Sequence, residues 1–314
     1  MSKSVSLLFF ARTLCAFGSP MQTLLRTTIT DVMPDSDSII SNKIGAVLSI
    51  CFMSGALISG FLSEYSYGVN LVFLLISINL ALSFLITKTL PEERSKPKDK
   101  KQATNSNSLE KFQIIFRSMK HLEWSHYWEL FIIKGFLEFS YGLMQINMGL
   151  VLLNHFKIDG RYLGYNFCLI GVVSIITNLV FVKLNNTYYK KDKGYLRILH
   201  GCSLLALSYL GLGMSSVYFI FLCFMITMVV SRTLLDSTLF ELLNNTVNES
   251  EKGRIISLFD GVLSLSELIS PIFSSILVTL YGEKFTLLLC SIPATAGIVI
   301  AYLKKYDNIK VNRE

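Results

Sequence analysis

Charged residues are scarce in this chain. Asp, Glu, Lys and Arg make up only 16% of its 314 residues while apolar types reach 52%; an ordinary soluble domain carries about 25% charge. So much apolar surface calls for lipid, not water. Catalytic signatures are missing as well. No Gly-x-x-x-x-Gly-Lys loop is present, so ATP is not the driver, and there is no His-Glu-x-x-His or Gly-x-Ser-x-Gly to suggest an intramembrane hydrolase. No Cys-x-x-Cys or Cys/His spacing suggests a metal. The sequence implies no enzyme, no catalytic residues and no cofactor.

What is there is a series of long apolar runs. A hydrocarbon core of about 30 Å needs about 20 apolar residues in a helix. Nine stretches meet that length, near 5 to 32, 44 to 62, 69 to 90, 127 to 153, 162 to 184, 196 to 213, 217 to 240, 255 to 280 and 284 to 303. In lipid every backbone N–H and C=O must be bonded internally, so a spanning segment is a helix or part of a closed barrel. The runs lack period-two alternation, which excludes the barrel. The fold class is therefore all-α, a polytopic helical membrane protein. All six cysteines (Cys15, Cys51, Cys168, Cys202, Cys223 and Cys290) fall inside the runs and read as small buried apolar residues.

The net charge of +7 would suggest nucleic acid in a soluble protein, but its placement points to membrane topology, and no nucleic-acid partner is expected. The loop after the third stretch, PEERSKPKDKKQATNSNS and its flank, holds Arg94, Lys96, Lys98, Lys100, Lys101, Lys111, Arg117 and Lys120. The positive-inside rule makes it cytoplasmic. Alternation then puts the loops with Lys190, Lys191 and Lys193 and with Lys252 and Arg254 on the same side, with the tail of Lys304, Lys305, Lys310 and Arg313. Only Lys157 and Arg161 run against the pattern. The sequons at Asn185, Asn244 and Asn248 fall in cytoplasmic loops, so none is expected to carry a glycan.

The chain also repeats itself. Leu24-Leu25-Arg26-Thr27-Thr28-Ile29-Thr30-Asp31 matches Leu234-Leu235-Asp236-Ser237-Thr238-Leu239-Phe240-Glu241 in its apolar, hydroxyl and acidic positions. Tyr67-Gly68 before VNLVFLLISI matches Tyr281-Gly282 before EKFTLLLCSI. Parallel repeats joined by a long basic loop are the architecture of transporters whose six-helix halves rock about a central site. An odd number of spans with a cytoplasmic tail puts Met1 outside. The expectation is that these are helices four to twelve of a twelve-helix fold: a partial first half over 1–90, a basic cytoplasmic linker over 91–125, a six-helix half over 126–305 and a cytoplasmic tail over 306–314.

At this point the residues resemble the major facilitator superfamily. Ala11-Arg12-Thr13-Leu14-Cys15-Ala16-Phe17-Gly18 is similar to the family's fourth-helix motif, and Gly45, Gly55 and Gly60 resemble its fifth-helix glycine pattern. That pattern normally includes a Gly-Pro pair in proton antiporters; here the Pro is absent, which counts against proton antiport. More narrowly, LLFFARTL, TTITDVMPDSDSI and LLDSTL resemble the organic-cation-transporter-like branch of solute carrier family 22. The resemblance implies a secondary active transporter of small organic solutes, organic cations among them, with protons as a candidate coupling partner. A transporter-like scaffold or sensor without flux, or an inactive truncated form, is the alternative.

An intramembrane charge costs roughly 2.5–3.5 kcal/mol on insertion scales, so each one should face a cavity or a partner. Arg12 lies about 12 Å into its span by helical rise, and the motif makes it a coupling candidate. Glu138, Tyr141 and Gln145 fall at i, i+3 and i+7 on one helical face. A carboxylate beside an aromatic ring suits a cation, though Lys134 can pair with Glu138 at i+4. Arg232 and Asp236 can pair within their own helix, leaving Asp236 a secondary candidate. Asp260, Ser264, Glu267 and Pro271 draw one polar stripe, with Glu267 the best titrating residue. The resemblance makes Asp31 and Glu241, at equivalent helix ends, gating candidates. Asn147, Asn166 and Asn178 read as glue between helices, and the four histidines show no ligand spacing.

Overall fold

The computed structural model describes residues 37–89, 127–189, 194–247 and 252–311. The first apolar stretch, with Arg12 and Asp31, and the basic linker lie outside the described residues. Among the described residues there is no strand. The helices run α1 (Asp37–Leu62), α2 (Gly68–Thr89), α3 (Trp128–Asn154), α4 (Gly160–Tyr188), α5 (Tyr195–Met214), α6 (Tyr218–Thr246), α7 (Lys252–Tyr281), α8 (Glu283–Leu289) and α9 (Ser291–Val311). Seven helical segments, counting α8 and α9 as one, are long and apolar enough to cross a membrane, and α2 contributes a shorter apolar run over Asn70–Ile86.

Several helices outrun their apolar stretches. α6, for example, continues through Glu241 to Thr246, because backbone hydrogen bonding persists past the point where side chains leave hydrocarbon. The last stretch differs in another way. It is broken between Leu289 and Ser291, and the cause is Pro293, which cannot donate to the carbonyl of Leu289 and is tolerated only in the first turn of α9. Pro271 inside α7 likewise leaves the carbonyl of Glu267 without its usual helical donor.

The Tyr-Gly repeat has a physical basis at each copy. Gly282 adopts φ 86° ahead of α8, a left-handed conformation that glycine alone takes without strain. Gly68 has no such φ; a Cβ there would lie 1.7 Å from the Leu62 carbonyl oxygen. Both glycines turn the chain sharply, one through its dihedral and the other through close approach.

Helices α3 to α9 form one bundle. α5 packs on α6 and α9, and α3 on α7 and α9, around fully buried Ile133, Leu137, Leu205, Tyr209, Phe221, Met225 and Phe259. The outer surface is as apolar as the interior, with Phe219 71%, Leu268 68% and Leu179 66% exposed. In water such a surface would aggregate; against lipid tails it is the matching solvent face. Hydroxyls on it are quieted locally: Ser203, Thr227 and Thr279 each donate to the carbonyl four residues back.

Helix α1 joins this bundle through α4, which it follows antiparallel along most of its length. Ser49 Oγ lies 2.9 Å from Ser174 Oγ, the Phe52 and Phe167 rings meet edge to face at 6.2 Å, and Gly60 meets Gly164. A Cβ built on Gly60 would sit 2.9 Å from the Cα of Gly164, so the two backbones touch only because neither residue has a side chain. Lipid offers no hydrophobic force to press helices together, and small residues let dispersion do it instead.

Candidate functional site

The charged residues of α3 and α6 meet in a ring. Within α3, Lys134 Nζ stands 2.5 Å from Glu138 Oε1; within α6, Arg232 Nε stands 3.2 Å from Asp236 Oδ2. Both pairs have the i, i+4 spacing foreseen from the sequence. The two helices then exchange partners. Lys134 Nζ donates to Asp236 Oδ1 at 2.8 Å, and Arg232 Nη2 donates to Glu138 Oε2 at 2.6 Å. Each cation thus faces both acids and each acid both cations, which is how four charges can share a buried site.

Burial within the ring is uneven. The side chain of Glu138 is 1% exposed, against 8% for Lys134, 12% for Arg232 and 38% for Asp236. Asp236 is therefore the member that opens to its surroundings. Aromatic faces back the cations: the Arg232 guanidinium lies 4.7 Å from the Tyr141 ring centroid and Lys134 Nζ 5.4 Å from that of Phe259.

All four ring residues line a cavity of about 450 Å³, bounded also by Ser49 and Phe52 of α1, Ser174 and Asn178 of α4, and Asp260, Ser264 and Glu267 of α7. A smaller compartment of about 210 Å³ shares Phe52, Tyr141, Gln145, Ser174, Arg232, Thr233 and Asp236 with it and is otherwise apolar, walled by Met144, Met148, Phe167, Ile170, Met228 and Val229. The site therefore has a polar chamber and an apolar annex that meet at the ring.

Of the candidates read from the sequence, Glu138, Tyr141, Gln145, Asp236, Asp260 and Glu267 all stand on this one lining. Ser264 follows them there, whereas Pro271 does not. Glu267 is exposed, and no hydrogen bond or ion pair joins its side chain to another described residue. Glu241 accepts two bonds from Arg197, at 2.8 and 3.3 Å, a forked pair that ties α5 to α6 inside the α3 to α9 bundle. Among the asparagines, Asn147 donates to Ser274 Oγ on α7 at 2.9 Å and Asn166 accepts from Tyr218 on α6 at 2.8 Å. These two hold helices together, while Asn178 faces the chamber.

Sequence reasoning missed the cross-helix exchange and the methionine annex, neither of which has a spacing signature. It also left Arg161 as an exception to the charge pattern. That residue stacks 4.9 Å over Phe61, donates from Nε to Tyr165 at 3.2 Å and lies 3.7 Å from Glu64. It fastens the end of α1 to the start of α4, so its charge has partners across the seam.

A sequence profile described as Major Facilitator Superfamily matches residues 1–245 and, in a second overlapping match, 130–313. The chain belongs to the major facilitator superfamily. It is also similar to solute carrier family 22 member 18 of Rattus norvegicus, 24% identical over 288 residues that make up 88% of this chain and 66% of the relative. The chain thus spans just under two thirds of that protein's length. As a member of the superfamily it is a multi-pass membrane protein.

Proposed function

We propose that this protein is a secondary active transporter of small organic solutes, organic cations among them, that works by alternating access. In this reading α1, α2 and the preceding stretch rock against the α3 to α9 half, across the α1–α4 seam, and expose the cavity to one side of the membrane at a time. The solute is held by Glu138, Tyr141, Gln145, Asp236 and Asp260. Arg12 and Glu267 couple its movement to protons. Asp31 and Glu241 act at the cytoplasmic gate, and the tail after residue 305 is cytoplasmic.

The observation that carries the reading is the charged ring itself, set on the wall of a chamber bounded by helices of both halves. Intramembrane charges are expensive, and a bundle held together by packing alone has no use for four of them. Their position beside an aromatic ring and an apolar annex is what a carrier of amphipathic ions needs. The test is uptake of labelled tetraethylammonium into proteoliposomes under an imposed pH gradient. Uptake that rises with the gradient supports the reading, and uptake equal to that of empty liposomes contradicts it.

A further inference from the structure

We propose that the far end of the α1–α4 seam, where Arg161 and Glu64 stand among aromatic rings, binds the headgroup of a zwitterionic phospholipid. The phosphate sits on Arg161, and the ammonium lies between Glu64 and the ring of Tyr162. None of Phe61, Glu64, Arg161, Tyr162 and Tyr165 lines the chamber or its annex, so the site is separate from the solute cavity.

The level in the membrane suits a headgroup. The apolar spans of the two helices are Gly45–Leu62 and Gly160–Phe181, and the Gly60–Gly164 contact brings the end of one beside the start of the other. All five residues stand at that shared end, where headgroups meet hydrocarbon and amphipathic rings collect. Arg161 is a cation that the charge pattern disfavours there, and its exposed pair with Glu64 adds little stability. Its donors, however, are open. Nε donates to Tyr165 at 3.2 Å, but Nη1 stands 3.7 Å from Glu64 Oε1, too long for a hydrogen bond. Neither Nη group reaches an acceptor among the described residues. The fork therefore faces outward with N–H groups that match two phosphate oxygens at once. Its plane is set by the rings of Phe61 and Tyr165, at 4.9 and 6.0 Å.

Charge then selects among headgroups. A phosphate that engages Arg161 takes the cation Glu64 faces and leaves the carboxylate beside negative charge. A purely anionic headgroup offers Glu64 nothing, whereas an ammonium on the same headgroup restores its partner. Tyr162 is 59% exposed and meets Tyr165 edge to face at 5.9 Å. No cation among the described residues lies over its ring, so it has a face for the ammonium. Acyl chains find a surface as well. Val172, Ile176 and Leu179 continue the row of Arg161 and Tyr165 along α4, and all three are exposed. Because the two glycines hold the helix ends in backbone contact, the platform needs little ordering when a lipid binds.

The experiment is native mass spectrometry of the purified full chain in detergent, titrated with palmitoyl-oleoyl phosphatidylcholine or with the matched phosphatidylglycerol. The first phosphatidylcholine should half-saturate at a concentration about tenfold below the first phosphatidylglycerol, the worth of one charge-assisted contact. Arg161→Ala, at an exposed position that spares the fold, should weaken phosphatidylcholine binding about tenfold. Arg161→Lys keeps the charge without the fork and should recover only part of that loss. Glu64→Gln should reverse the preference, because Arg161 then has no acid beside it and favours the anionic lipid. Phosphatidylglycerol binding as tightly as phosphatidylcholine in the parent would overturn the proposal. Phosphatidylcholine binding unchanged in Arg161→Ala would overturn it too, by placing the bound lipid elsewhere.

Discussion

Arg232 on α6 reaches Glu138 on α3 at 2.6 Å, and together with the Lys134–Asp236 contact at 2.8 Å it converts two ordinary intrahelical pairs into a closed ring. Its consequences are energetic as well as functional. Glu138 is almost wholly buried, so its removal cannot be repaired by water.

Glu138→Gln is expected to lower the unfolding free energy by roughly 3–5 kcal/mol, the cost of stranding buried cations. Adding Arg232→Gln restores the balance of one cation and one acid, and should recover part of the loss. Thermal unfolding of the single and double variants in nanodiscs measures both. A double variant that simply sums the two single losses would show that the residues do not act as a unit.

At the seam, Gly164→Ala places a methyl 2.8 Å from the Cα of Gly60 and 2.9 Å from the Ala56 carbonyl oxygen. Backbone cannot yield as a flexible side chain does, so α1 must move away from α4, at about 1–3 kcal/mol. Gly149→Ala meets nothing within 4 Å and serves as the control. Cysteines placed at Ser49 and Ser174 should crosslink readily in the parent and in Gly149→Ala, and more slowly in Gly164→Ala.

Arg161→Ala tests whether the cluster at the far end of the seam matters to motion more than to stability. The Arg161 and Glu64 side chains are 43% and 50% exposed and 3.7 Å apart, and such pairs hold little fold stability. The thermal midpoint should stay close to the parent's. The rate of labelling of a cysteine at Leu62, next to Phe61 and partly buried, should rise, because the stack over Phe61 and Tyr165 is gone. Unchanged labelling would mean that the cluster does not restrain the seam.

The sequence was legible where one helix is enough to carry the signal. Apolar length alone located α3 to α7, and the i, i+3, i+7 rule put Glu138, Tyr141 and Gln145 on one face. Charges at i+4 named Lys134 and Arg232 as partners of Glu138 and Asp236, yet only to their own helix. The exchange across α3 and α6 depends on how two helices are rotated about their axes, and no period in either one encodes that. The same reason hid the meeting of Met144 and Met148 with Met228. Arg161 did leave a mark, as a cation on the wrong side of the charge pattern; of its aromatic partners Tyr165 is four residues on, but Phe61 lies two helices and a linker earlier in the chain. Pro293 was visible in the last apolar stretch, and its effect on the helix there is a local one that length counting passes over.

Proton coupling has its own test. Glu267→Gln should leave solute binding within about twofold, since the ring is intact, and remove the dependence of uptake on the pH gradient. A carboxylate that carries protons is the one group whose loss separates binding from coupling. Gradient-dependent uptake that survives the change would move the coupling site elsewhere.

The most direct measurement of the central claim, that the ring-lined cavity is a solute path, is uptake of labelled tetraethylammonium into proteoliposomes by the parent and by Asp236→Asn. The parent should accumulate the cation, and the variant, whose half-exposed position spares the fold, should show uptake reduced at least about tenfold, because the ring is left with a net positive charge that repels it. Equal uptake by the two proteins, each properly inserted, would contradict the account.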